Sequence, residues 1–199
     1  MDLKANIISC IANEADALHS LSQSIGDGDI EILKQLYACK GKRLFVGVGK
    51  SDIVGSKIAG TFTSLGFASL SLSPLDMLHG DLGFLQPDDL VVVVSYSGET
   101  DILVELIKAI KRLHPIHIIS ITGNRDSTIA QLSDSTKEIK VREAGPFGVV
   151  PSSSTSATMV YGDALAMALT AMKGLSFSDF QRFHPSGDIG KLKIGDIDE

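Results

Sequence analysis

The sequence predicts an α/β protein: a doubly wound sheet of five parallel strands with helices on both faces. Three observations carry this. Leu90-Val-Val-Val-Val94 is an unbroken β-branched run, the pattern of a strand buried on both faces. Short apolar runs alternate with stretches of helical periodicity along most of the chain, as βαβ units require. The segments that follow the strands concentrate Gly, Ser and Thr, as expected where a ligand sits beyond the carboxyl ends of such a sheet.

Element by element, residues 1–40 read as two helices. Ile7, Ile8, Ile11, Ala15, Leu18 and Leu21 recur at helical spacing, Gly26-Asp27-Gly28 breaks the pattern, and a second helix is expected over Asp29 to Ala38. Arg43 to Gly49 is an apolar run that stops at glycines, hence the first strand. Ile53 to Leu65 is the helix after it. Phe67 to Leu72 is a weaker second strand, and Leu90 to Val94 is the third. Leu103, Leu106, Ile107 and Ile110 share one face of a helix over Ile102 to Leu113. Ile116 to Ile121 is the fourth strand, Ser127 to Leu132 a short helix, and Lys137 to Val141 a fifth, alternating strand. Ser154 to Met172 is a long Ala-rich helix. Crossovers between parallel strands are expected to be right-handed.

Composition narrows the function classes. With 199 residues the chain is expected to be one domain with an appended segment, able to bury about 70% of its unfolded surface. Lys and Arg number 18 against 24 Asp and Glu, a net charge of -6, so a nucleic-acid partner is not expected. No apolar run reaches the roughly 18 residues of a membrane span, and the N-terminus has no signal-peptide apolar segment, so no membrane partner and a cytoplasmic location are expected. Cys10 and Cys39 stand in no metal-ligand or disulfide spacing and read as small core residues.

Two nucleotide-binding patterns fail. A P-loop ending at Gly49-Lys50-Ser51 would need Gly where Leu44 stands. A dinucleotide fingerprint from Gly47 and Gly49 would end on Asp52, whose carboxylate would repel a pyrophosphate at a helix N-terminus. What survives is a glycine turn with one cation, Lys50, beside it. On its own that is also what a tight turn with a solvent-facing lysine looks like. The hydroxyl-rich loops say more. Ser95, Ser97 and Thr100 surround Gly98 and open one helix, and Pro151 to Ser156 opens another. One hydroxyl caps a helix. Six within Ser152, Ser153, Ser154, Thr155, Ser156 and Thr158 exceed that need, and two such helix starts facing each other would hold a phosphate monoester without a basic cluster. Glu99 and Glu143 follow the third and fifth strands, His79 lies in Leu78 to Gly83, and His184 in Phe183 to Gly187. Read blandly, these are a helix-dipole acid, a solvated loop acid and two surface histidines. Read together, a carboxylate or imidazole beside a held sugar phosphate is a set for proton transfer through an enediolate.

Taken in order, Gly47-Val-Gly-Lys-Ser51, His79-Gly-Asp-Leu-Gly83, Ser95-Tyr-Ser-Gly-Glu-Thr100, Arg142-Glu-Ala144, Pro151-Ser-Ser-Ser-Thr-Ser-Ala157, Gly162-Asp-Ala164 and His184-Pro-Ser-Gly187 resemble the sugar isomerase (SIS) domain of arabinose 5-phosphate isomerases. The resemblance implies a flavodoxin-like SIS fold over 41–192, N-terminal helices over 1–40, and a short tail over 193–199 without the regulatory CBS domains of many members. It implies interconversion of D-ribulose 5-phosphate and D-arabinose 5-phosphate, the entry to Kdo and lipopolysaccharide, with no cofactor. Lys50, Glu99, Glu143 and His184 match the family's catalytic positions. Gly49, Ser51, Ser95, Ser97, Thr100 and Ser152, Ser153, Ser154 and Thr155 match substrate-binding positions. His79 matches a site histidine. No metal is required, although His79 and His184 are the residues that could capture inhibitory zinc. The roles that follow are Glu143 as enediol base, His184 in ring opening, Lys50 steadying oxyanion charge and Glu99 orienting or relaying protons, with the two glutamates exchangeable. A homotetramer whose neighbours lend His79 or His184, and CMP-Kdo as an end-product ligand, complete the expectation. Tyr96 stands where the family commonly has Asn, and Ser186-Gly-Asp188 replaces the more usual Gly-Gly-Ala. A non-catalytic sugar-phosphate sensor, or an isomerase of another sugar phosphate, is the alternative.

Overall fold

A computed structural model describes residues 2–145 and 147–193. Five parallel strands, β1 (Arg43–Gly47), β2 (Ser69–Ser71), β3 (Leu90–Val94), β4 (His117–Thr122) and β5 (Ser135–Glu138), form one sheet in the order β2-β1-β3-β4-β5. This is the doubly wound arrangement the sequence predicts, and its direction of winding reverses between β1 and β3. A ligand crevice belongs at that switch, beyond Gly47 and Val94.

The sheet separates two apolar cores. On one face α1 (Leu3–Gln23), α2 (Asp27–Ala38), α3 (Lys50–Ser64) and α7 (Ser153–Lys173) cover Phe45, Val92, Val94, Ile119 and Ile121. On the other, α4 (Pro74–Leu78), α5 (Asp101–Leu113) and α6 (Thr128–Leu132) cover Leu44, Val46, Val91, Val93 and Ile118. Alternate residues of β3 therefore serve opposite cores, which is why its run of valines has no polar face. Leu103, Leu106, Ile107 and Ile110 are the buried stripe of α5.

Polar ties lock the N-terminal helices to the sheet. The Arg43 guanidinium is buried and donates to the carbonyls of Leu36 (2.6 and 3.1 Å) and Cys39 (2.9 Å), closing the carboxyl end of α2. Lys137 of β5 pairs with Asp29 of α2 at 2.9 Å, both nearly sealed from solvent. Asp29 also accepts from Tyr161 Oη (2.8 Å) and Gly26 N (2.9 Å), and Lys137 Nζ donates to Ser24 Oγ (3.2 Å). Burial opposes the charge on Asp29, but these donors outweigh it and hold its pKa below the ordinary aspartate value.

Several boundaries differ from expectation. The second helix begins at Asp27, because Asp29 reaches back to Gly26 N and closes the first turn. The fifth strand spans Ser135–Glu138 and not Lys137 to Val141. Asp134 pins its start, donating its N–H to Ile118 O (2.8 Å) and accepting from Ile118 N (2.8 Å), and β4 runs out of partners after Ile139 N bonds Thr122 O. The short helices α4, α8 (Phe177–Arg182) and α9 (Gly187–Lys191), and a single 3-10 turn at Asp81–Phe84, have too few residues to show a periodicity. Cys10 and Cys39 are half-buried free thiols; Cys39 packs against the core, whereas Cys10 is not part of it. The apolar stripe of α1 is covered only at its far end: Ala17 and Leu21 are buried, while Leu3, Ile7, Ile8 and Ile11 lie in the open. Among the described residues no helix is long and apolar enough to cross a membrane. Residues 194–199, most of the expected tail, lie outside the described residues.

Candidate active site

A small cleft opens at the carboxyl ends of β3, β4 and β5, under the N-terminal turns of α3 and α7. Its walls are Ser51 and Val54 of α3, Tyr96, Thr122, and Ser154, Thr155 and Thr158 of α7, over a floor of Val94, Ile121 and Ile139. Helix N-termini leave N–H groups unpaired and present the positive end of the dipole, so this rim suits an anion.

The Ser95–Thr100 loop is held by its own hydroxyls. Ser95 and Thr100 hydroxyls lie 3.0 Å apart, Gly98 N donates to Ser95 Oγ and Glu99 N to Ser97 Oγ, each at 3.2 Å. Gly98 has φ +69°, and a Cβ there would fall 2.0 Å from Ser127 Oγ, so only glycine lets the loop pass over α6. Ser95 is buried and Ser97 exposed. Lys50 is the exposed first residue of α3, Gly49 is its cap and Ser51 turns into the cleft.

The two glutamates are both ionised by bonding, in different places. Glu143 is 8% exposed and its Oε2 accepts from Ser152 N (2.9 Å), Ser154 N (3.1 Å) and Ser152 Oγ (3.3 Å). Burial alone would raise its pKa, but the donors of Ser154 and Ser152 outweigh that and hold it below the usual glutamate value. Its carboxylate thus sits on the free N–H groups at the start of α7, which the hydroxyl count assigns to a phosphate. Glu99 is exposed, and Oε1 accepts from Thr128 N at 2.8 Å, capping α6. Bonding to Thr128 holds its pKa below the usual value too.

The structure brings Ser51, Ser154 and Thr155 to one cleft, with Glu143 behind the Ser152–Ser154 turn. Ser153 is fully buried with its hydroxyl unpartnered and is not one of the cleft's walls. His79 and His184 are not brought in. His79 is exposed after α4 with Nδ1 2.8 Å from Leu75 O, while His184 stacks on Phe180 at 4.2 Å and borders a groove along α3 and β2. Among the described residues no three His, Cys, Asp or Glu side chains are grouped as metal ligands would be. Two contributors have no signal in the sequence: Thr128 N, the partner of Glu99, and Val141 O, which accepts from Tyr96 Oη at 2.7 Å. Each pair is separated by dozens of residues, and only the fold joins it.

The SIS domain family model matches residues 35–168. The chain belongs to the SIS domain family. As an SIS protein it is 41% identical over 191 residues to the arabinose 5-phosphate isomerase KdsD of Shigella flexneri, covering 94% of this chain and 58% of that one. It is 42% identical over the same shares to KdsD of Pseudomonas aeruginosa. The chain thus spans less than two thirds of the curated relatives it matches. A solved SIS structure, c3406 of E. coli CFT073 in complex with A5P, superposes with a TM-score of 0.89 at 36% identity, covering 92% of this chain and 98% of that one.

Proposed function

We propose that this SIS domain interconverts D-arabinose 5-phosphate and D-ribulose 5-phosphate. The observation that carries the reading is a cleft at the carboxyl ends of the strands that gathers Ser51, Ser154 and Thr155 from two helix starts and Tyr96 from the Ser95–Thr100 loop, in a chain similar over its length to a protein solved with A5P. A phosphate monoester would bond the hydroxyls of Ser95, Ser97 and Thr100 and leave C1 and C2 of the open-chain sugar toward the Glu143 side.

Starting from the aldose, Glu143 takes the proton from C2, the electron pair moves to the C1 carbonyl, and the enediolate oxygen is steadied by Lys50 and nearby N–H groups. Return of the proton to C1, with transfer of the O2 proton to O1, gives the ketose. A carboxylate held ionised at neutral pH is ready to accept a proton but is a weaker base for it, so the bonds to Ser152 and Ser154 would have to loosen as the proton arrives. Glu99, bound to the start of α6, would orient the substrate or relay a proton. His79 and His184 lie outside the cleft of a single chain; a homotetramer would supply one of them from a neighbour for ring opening, using the exposed apolar half of α1 as part of the contact. A cytoplasmic place at the entry to Kdo and lipopolysaccharide synthesis, with CMP-Kdo as an end-product ligand, completes the proposal. The length shared with the relatives, and the sugar phosphate bound by a similar fold, support it.

The test is proton NMR with ribulose 5-phosphate in D2O. Arabinose 5-phosphate carrying deuterium at C2 is expected from the wild type, with turnover lost in a folded Glu143→Gln variant. Unchanged ketose from the wild type would move the reading to another sugar phosphate or to a sensor, which a binding titration would separate.

A further inference from the structure

Tyr96 is a wall of the cleft whose hydroxyl is committed elsewhere. Its backbone is fixed over the end of β4: its carbonyl accepts from Gly123 N at 2.8 Å and from Thr122 Oγ1 at 3.2 Å. Its ring lies against Gly123 so closely that a Cβ there would be 2.6 Å from Cε2. The hydroxyl then spans to Val141 O at 2.7 Å.

That bond falls where the chain has left the sheet's ladder, although the Val141 side chain still packs against the core. The β4–β5 ladder ends at Glu138, and Ile139 N to Thr122 O is the last bond in its pattern. Val141 is in no regular element, and two residues later the chain delivers Glu143 to Ser152 and Ser154. The 139–143 segment is thus strung between two anchors, Tyr96 at its middle and the start of α7 at its end. The loop that carries Ser95, Ser97 and Thr100 is the same loop that carries Tyr96.

We propose that Tyr96 is a positioning residue: by holding Val141 it fixes the placement of Glu143 relative to the Ser95–Thr100 loop. The proposal rests on Glu143 as the proton-transfer base. It adds that the loop holding the phosphate and the segment holding the base are one mechanical unit, in which the phenol is the link to Val141. A side chain that cannot reach Val141 O leaves the 140–143 segment free to shift while the cleft keeps its hydroxyls. Misplacing a base in this way costs turnover more than binding.

Two measurements decide it. The first is the kcat and KM split for ribulose 5-phosphate in Tyr96→Phe, which keeps the ring and loses only the bond. We expect kcat to fall on the order of 10-fold with KM within about 2-fold. The second is 13C NMR titration of the Glu143 carboxyl, assigned by its disappearance in Glu143→Gln. The charged groups beside the segment, Lys140 and Arg142 flanking Val141 and Asp16 of α1, are the same in every variant. In the wild type the midpoint should lie below the ordinary glutamate value of about 4.3, and in Tyr96→Phe it should rise toward it. Tyr96→Asn, too short to reach Val141 O, should raise it similarly if the aromatic variant folds poorly.

An unmoved midpoint in both variants overturns the proposal, whatever kcat does, because a general loss of structure would lower kcat without retuning one carboxylate. A midpoint that moves in the variants, beside a wild type that isomerises nothing, leaves Tyr96 as the positioner of Glu143 and removes the isomerase reading instead.

Discussion

Replacing Lys137 by Met should cost this protein a large part of its stability. The side chain is 6% exposed, and its partner Asp29 is 9% exposed. Methionine removes the ammonium and leaves the Asp29 carboxylate with Gly26 N and Tyr161 Oη as its remaining donors, an under-compensated charge in an apolar surround. Breaking one side of a buried pair costs about 3–5 kcal/mol. For a chain of this size each kcal/mol moves the melting temperature by about 2–4 °C, so a fall of roughly 6–20 °C is expected. Urea unfolding at fixed protein concentration, with Asp29→Asn and the double variant completing the cycle, is the assay. The double variant should recover part of the loss, because both charges leave together. A Lys137→Met protein within about 1 kcal/mol of wild type would refute the reasoning, since a surface pair contributes no more than that.

Gly98→Ala should fold poorly and bind no sugar phosphate, because φ +69° and a 2.0 Å approach to Ser127 Oγ leave no room for a methyl; circular dichroism melts and calorimetry check it. Arg43→Met should lose about 3 kcal/mol in urea unfolding, as the buried carbonyl of Leu36 and the part-buried ones of Cys39 and Gly41 lose a charged donor. Glu143→Gln should be less stable than wild type at neutral pH and close to it in acid. The folded pKa of Glu143 is depressed, so its contribution is present above the unfolded value of about 4.3 and is lost as pH falls through the folded one; melting curves from pH 7 to 3 follow it.

The strands were legible because burial on both faces writes itself as unbroken apolar runs; β3 lies at Leu90–Val94 as its valines predict. The fifth strand misleads because Lys137, one of its residues, is buried by an ion pair and not by an apolar side chain, so its pattern points the wrong way along the chain. In the site, the hydroxyls of Ser154 and Thr155 stood out by number, and they do line the cleft. That Glu143 would occupy the N–H groups beside them could not be read, since a nine-residue spacing carries no geometry until Pro151 and the turn before it fold back. Nor could the distance of His184 from the cleft, which depends on α8 and on whatever neighbours the groove along α3.

The sheet's two borders have a bearing on how copies of this chain can meet. At one border β2 is three residues long, and its first carbonyl, Ser69 O, already accepts from Thr63 Oγ1 at 2.6 Å. At the other, β5 is four residues long and is tied to α2 through Ser135 Oγ and Gln35 Oε1. Neither offers the long open ladder on which a foreign strand could zip. Pairing of copies through strand addition is thereby disfavoured, and the borders of the sheet are blunted against the misassembly that long open β borders invite.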